Sequence, residues 1–138
     1  MGDVHADITL YNGADLVSVK LGICSMENVR QMSVRALVDT GATTLAINDE
    51  IKNQLGLFVW ETKEVELANG SLEKYEFVGP VEIRFKNRSS FCRAVVLPHV
   101  AEVLLGAIPM EEMDVIIDMK NQELTLPPER PYLAKIRV

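Results

Sequence analysis

Cysteine is scarce in this chain of 138 residues, and its two copies, Cys24 and Cys92, stand far apart, without the Cys-x-x-Cys spacing of zinc or dithiol redox sites. They read as reduced, partly buried small hydrophobes, with a disulfide as the alternative. Histidine is equally sparse: neither His5 nor His99 has a Cys, Asp or Ser partner at a recognisable spacing, so both read as surface residues rather than metal ligands or triad members. Ser89-Ser90 lacks the Gly-x-Ser-x-Gly elbow of serine hydrolases. There is no excess of positive charge. The formal net charge is −6 and the basic residues are scattered, which argues against a nucleic-acid partner.

Long apolar runs are missing as well. None approaches the ~18 residues that span a bilayer, so no membrane partner is expected. The start of the chain, Met1 to Asp7, has no basic region followed by an apolar run, and Ala6 stands where a myristoylation motif needs Ser or Thr. The expected location is cytoplasmic. The length suits one domain and excludes two ordinary lobes, so residues 1–138 are read as a single domain with its core in about 6–126 and a tail at 127–138. Neither a solenoid repeat nor a low-complexity segment occurs.

What the chain does have is short β-rich runs between turn signals. Ala6 to Tyr11 alternates and ends at the turn dipeptide Asn12-Gly13; Val17 to Leu21 reads as another strand. A loop over Gly22 to Arg30 precedes strands at Ser33 to Val38 and Thr43 to Ile47. Asn48 or Asp49 caps a short helix through Leu55 that Gly56 ends. Leu57 to Ala68 and Ser71 to Val78 form a hairpin tipped at Asn69-Gly70, Gly79-Pro80 marks a break, and Val81 to Phe85 with Ser90 to Leu97 forms a second hairpin around Asn87. Val103 to Gly106 is a short strand, Pro109 opens a helix through Met113, and Val115 to Ile117 with Glu123 to Leu126 completes the set. After Pro127, the stretch Tyr132 to Val138 reads as a spare strand. Many short strands with one or two short helices predict an all-β, closed barrel.

Two side-chain readings go with these elements. Met110 and Met113, at i,i+3, are expected in the core, and Trp60 as a partly buried strand aromatic. Glu61, Glu64 and Glu66 read as one solvated acidic face of a strand, with repulsion of acidic substrates as the alternative.

The chemistry centres on Asp39-Thr40-Gly41. Ala36-Leu37-Val38 before it and Ala42 after it place a carboxylate at the end of a buried strand, where a lone charge is costly without hydrogen bonds. An Asx-type turn between strands would use the same residues. The run Ala36 to Ala42, a hairpin tipped at Asn69-Gly70, and Val103-Leu104-Leu105-Gly106 before a short helix occur here in the order found in the retropepsin-like aspartic proteases, and the chain resembles that single-domain family from about Val34 to Asp118. The run Leu105 to Pro109 is more similar to cellular and bacterial members than to viral ones.

The resemblance implies an acid-protease barrel active as a homodimer on peptide or protein substrates, with no metal and no organic cofactor. Asp39 would be the acid and base, Thr40 would lock two loops across a twofold axis, and the Gly41 backbone would orient substrate. Ala68, Asn69 and Gly70 would close over an extended peptide, with Ala42 and Leu104 also lining its site. Two carboxylates must share a proton, and no other aspartate is followed by Thr-Gly or Ser-Gly, so the second carboxylate is expected from another copy. Ala107 departs from the viral pattern, which has arginine there to brace the dimer. A peptide-binding or dimerisation module with negligible turnover is therefore the alternative function, and a precursor whose tail fills its own cleft is a third.

Overall fold

A computed structural model describes residues 2–138. Nine strands run in chain order as β1 (His5–Asn12), β2 (Gln31–Val38), β3 (Leu45–Ile47), β4 (Phe58–Glu66), β5 (Leu72–Phe85), β6 (Arg88–Val96), β7 (Val103–Leu105), β8 (Ile116–Asp118) and β9 (Glu123–Thr125). Three α-helices interrupt them: α1 (Gly13–Lys20), α2 (Asp49–Leu55) and α3 (Ala107–Met113), with a 3₁₀ turn at Met26–Asn28.

The hydrogen-bonded order β5-β6-β3-β7-β2-β1 closes on itself because β1 also pairs with β5, giving a six-stranded barrel. Closure leaves no open edge within the ring itself. β4 extends β5 outward as one arm of a long hairpin, and β9 and β8 continue from β1. The interior is filled by alternating residues of the ring strands, among them Ile8 and Leu10 of β1, Ala36 of β2, Val81 and Ile83 of β5 and Leu105 of β7, all at most 2% exposed. Met110 and Met113 join this core from α3, as their spacing predicts.

Local chemistry explains α2 directly. The Asn48 side chain accepts from the Ile51 N–H at 3.0 Å, Ile51 and Leu55 face the core, and Gly56 ends the helix at φ 63°. The segment Val17 to Leu21, expected as a strand, is instead helical. Asn12 is not a turn residue but the cap of α1, accepting from Asp15 N–H at 3.0 Å, and Leu21 N–H reaches Val17 O at 2.9 Å in the helical pattern. The alternating valines misled because only Leu16 of this helix buries a large apolar side chain, leaving Val17 exposed.

Three other departures have local causes. β5 runs straight through the expected break at Gly79-Pro80, whose two residues form a bulge as the register shifts between Val78 and Val81. The count of α-helices is three, above the one or two expected. The tail forms no strand: Asn87 Nδ2 donates to Pro131 O at 2.8 Å, Arg130 grips Asp114 through Nε and Nη2, and Lys135 N–H donates to Asp114 Oδ2 at 2.9 Å. Side-chain anchors along the tail replace a strand ladder, and they leave Tyr132, Leu133 and Ile136 exposed.

Candidate active site

Asp39 follows β2 directly, and the loop it opens is stitched to the segment that follows β7. The Asp39 N–H donates to Leu105 O at 3.0 Å, Ala107 N–H to Ala42 O at 2.9 Å, and Ile108 N–H to Thr43 O at 2.9 Å. Gly106 sits between these bonds. A Cβ there would overlap Thr44 O and come within 2.7 Å of Ala42 O and Thr44 N, so the close approach of the two segments requires glycine. The Asp39 carboxylate accepts the Gly41 N–H through Oδ1 at 2.9 Å, which fixes its orientation at the mouth of the loop. A Cβ on Gly41 would lie 3.1 Å from that oxygen and crowd it.

A cleft of about 940 Å³ opens over this loop. Asp39, Gly41 and Ala42 line its floor with Leu104 and Ile108; Phe77, Arg93 and Val95 form a wall; Val65, Leu67 and Ala68 of the hairpin stand over it. Asp39 is its one aspartate among the described residues. A shallower depression of about 600 Å³ is lined by the tail alone, Glu129 to Ile136, and holds no grouping of catalytic type.

Of the residues singled out in the sequence, the fold brings Asp39, Gly41, Ala42, Ala68 and Leu104 to one cleft. Thr40 is exposed outside that lining, and Asn69 and Gly70 form the hairpin tip beyond it. At the tip the Gly70 N–H bonds to Leu67 O at 2.8 Å and Gly70 takes φ 84°, while the Asn69 side chain accepts from Ser71 N–H at 2.9 Å. The turn is therefore a four-residue turn closed by a left-handed glycine, rather than a two-residue turn centred on Asn69-Gly70.

Trp60 lies outside the cleft and is 59% exposed, not partly buried as expected, with Nε1 donating to Gly79 O at 3.0 Å. His5 also has a partner that its sequence neighbours did not suggest: Nε2 lies 2.8 Å from Glu102 Oε1.

Sequence reading missed Phe77, Cys92, Arg93 and Ile108 in the lining. Phe77 and Arg93 were accessible in principle, since each falls on an alternating strand, but which face of that strand meets the cleft depends on closure of the barrel. Cys92 and Cys24 are both free thiols, and burial pushes the Cys92 thiol up to about 12, which makes it a poor nucleophile. Among the described residues no group of three or more His, Cys, Asp or Glu is arranged to hold a metal ion, and no helix is long and apolar enough to cross a membrane.

A family model described as aspartyl protease matches residues 26–108, more than half of the chain and the part that contains both the Asp39 loop and the hairpin. No curated protein matches the chain.

Proposed function

The chain belongs to the aspartyl protease family, with the retropepsin-like barrel, and from that premise we propose that it is an aspartic endopeptidase whose active site is shared by two copies. One observation carries this reading: the cleft over the Asp39 loop holds a single aspartate, and the chemistry needs two. In the proposed reaction an ionised carboxylate takes a proton from water as the water oxygen attacks the scissile carbonyl carbon. The protonated partner gives its proton to the carbonyl oxygen. Collapse of the tetrahedral diol then breaks the C–N bond, and the amine leaves with a proton from the dyad.

A twofold dimer that sets two Asp39 loops face to face would supply the second carboxylate, and Thr40, which is exposed, would meet its counterpart there. The hairpin of β4 and β5 would close over an extended peptide, with Ala68, Asn69 and Gly70 nearest its backbone. Ala42 and Leu104 would contact the peptide from the floor. Free thiols at Cys24 and Cys92 fit a reducing compartment such as the cytoplasm.

The test is Asp39→Asn. Amide and carboxylate are nearly isosteric, so the variant should keep its circular dichroism and its oligomeric state while hydrolysis of a peptide library falls by about 10³-fold or more. Hydrolysis retained by the variant would overturn the assignment of Asp39. Peptides bound but left intact by the wild-type protein would instead favour a peptide-binding module, the reading that Ala107 motivates.

A further inference from the structure

We infer that Arg93 forms a subsite for a carboxylate of the bound peptide, so that the cleft prefers substrates carrying an acidic group at that position. The inference rests on the cleft's being the peptide site proposed above. Register places the residues concerned. Glu61 of β4 is paired with Phe77 of β5, and Phe77 with Val95 of β6, so these three side chains share a face. Arg93 lies two residues before Val95 and Lys63 two after Glu61, which puts both cations on that face as well. Since Phe77, Arg93 and Val95 line the cleft, this is its inner wall.

Two cations meet on this face. Arg93 Nη1 lies 2.6 Å from Glu61 Oε1 and Lys63 Nζ lies 3.1 Å from the same oxygen, so two cations share one carboxylate. Lys63 is held in place above the Phe77 ring, 5.1 Å from its centroid. Arg93 is anchored too, its carbonyl accepting the Thr44 hydroxyl at 3.0 Å, which ties it to the end of the Asp39 loop. Its contact with Glu61 is made through Nη1, leaving the Nε–Nη2 edge of a planar guanidinium for another acceptor, and that edge suits a carboxylate. Glu73, paired with Val65, shares this face and accepts the Tyr75 hydroxyl at 2.8 Å, while Glu64 and Glu66 border the cleft from the opposite face of β4. Arg93 is the one Lys or Arg among the described residues that line the cleft, and so the point at which a peptide carboxylate can pair.

A carboxylate can come from an Asp or Glu side chain or from a peptide C-terminus. Peptides with internal Glu against Gln, and with free against amidated C-termini, separate the two sources. Hydrolysis by the wild-type protein and binding to Asp39→Asn, followed by fluorescence anisotropy, are measured on the same set. The acidic member of one series should be preferred roughly five- to tenfold at low salt, with the preference shrinking as salt rises.

Arg93→Gln should abolish that preference, whereas Glu61→Gln, by removing the competing carboxylate, should increase it. A purely structural role for the pair would make the two variants behave alike, which would overturn the subsite. Acidic peptides preferred in binding but never cleaved would uphold the subsite and defeat the catalytic reading. Cleavage that is indifferent to the carboxylate would defeat the subsite and leave catalysis standing.

Discussion

Two residues are placed under constraints that a composition table hides. At Gly106 the backbone of the Asp39 loop passes so close that any side chain displaces it. Gly106→Ala should lower stability by about 1–3 kcal/mol, read from the midpoint of denaturant unfolding, and should reduce activity further by opening the loop. Wild-type stability in this variant would mean that the two segments are not locked together as the hydrogen bonds suggest. Asn12 is a polar side chain only 1% exposed, yet it is fully employed: it accepts from Asp15 N–H and donates to Leu55 O at 2.7 Å and Gly56 O at 3.3 Å, joining the start of α1 to the end of α2. Asn12→Ala removes the cap and strands buried carbonyls, so a loss of roughly 2–3 kcal/mol is expected in the same unfolding experiment. A loss below about 0.5 kcal/mol would identify Asn12 as the simple turn residue that Asn12-Gly13 suggests.

At the scale of elements, the short hairpins and α2 were legible because their signals are local: a capping side chain, a left-handed glycine, an alternating run. α1 and the tail were not, for a common reason. Each is held to the barrel by few contacts of its own pattern, α1 through Leu16 and the tail through side chains of Asp114, Asn87 and Arg88 that lie far away in sequence. The tail contact gives a pH prediction. Arg130 side-chain bonds, reinforced by the Lys135 N–H, hold the Asp114 carboxyl down at about 2. A folded value below the ordinary one of about 3.9 means that the contribution is fully present above pH ~3.9 and is lost as pH falls through about 2. The amide resonance of Lys135 should therefore shift with a midpoint near 2 in an NMR titration. A midpoint near 3.9 would place Asp114 in free solution and detach the tail.

For the whole molecule, the proposed sharing of the site has a direct kinetic signature. If each copy contributes one Asp39, specific activity should be constant above the dimer dissociation constant and fall in proportion to concentration below it, with sedimentation equilibrium reporting the same midpoint. Activity that persists in a demonstrated monomer would require a second carboxylate from within the chain and would overturn the dimer. What the linear sequence determined by itself was the kind of protein: the Asp39-Thr40-Gly41 run, the hairpin and the Leu104-Leu105-Gly106 strand are contiguous signals, and their order carried both the barrel and the family. Only the tertiary structure decided that Arg93 and Phe77 face into the cleft and that Asn12 is a buried joint. Those facts depend on closure between β1 and β5 and on the parallel pairing of β2 with β7 and β3 with β6. Pairings between distant strands are set by the packing of the whole core, which no local window of residues contains.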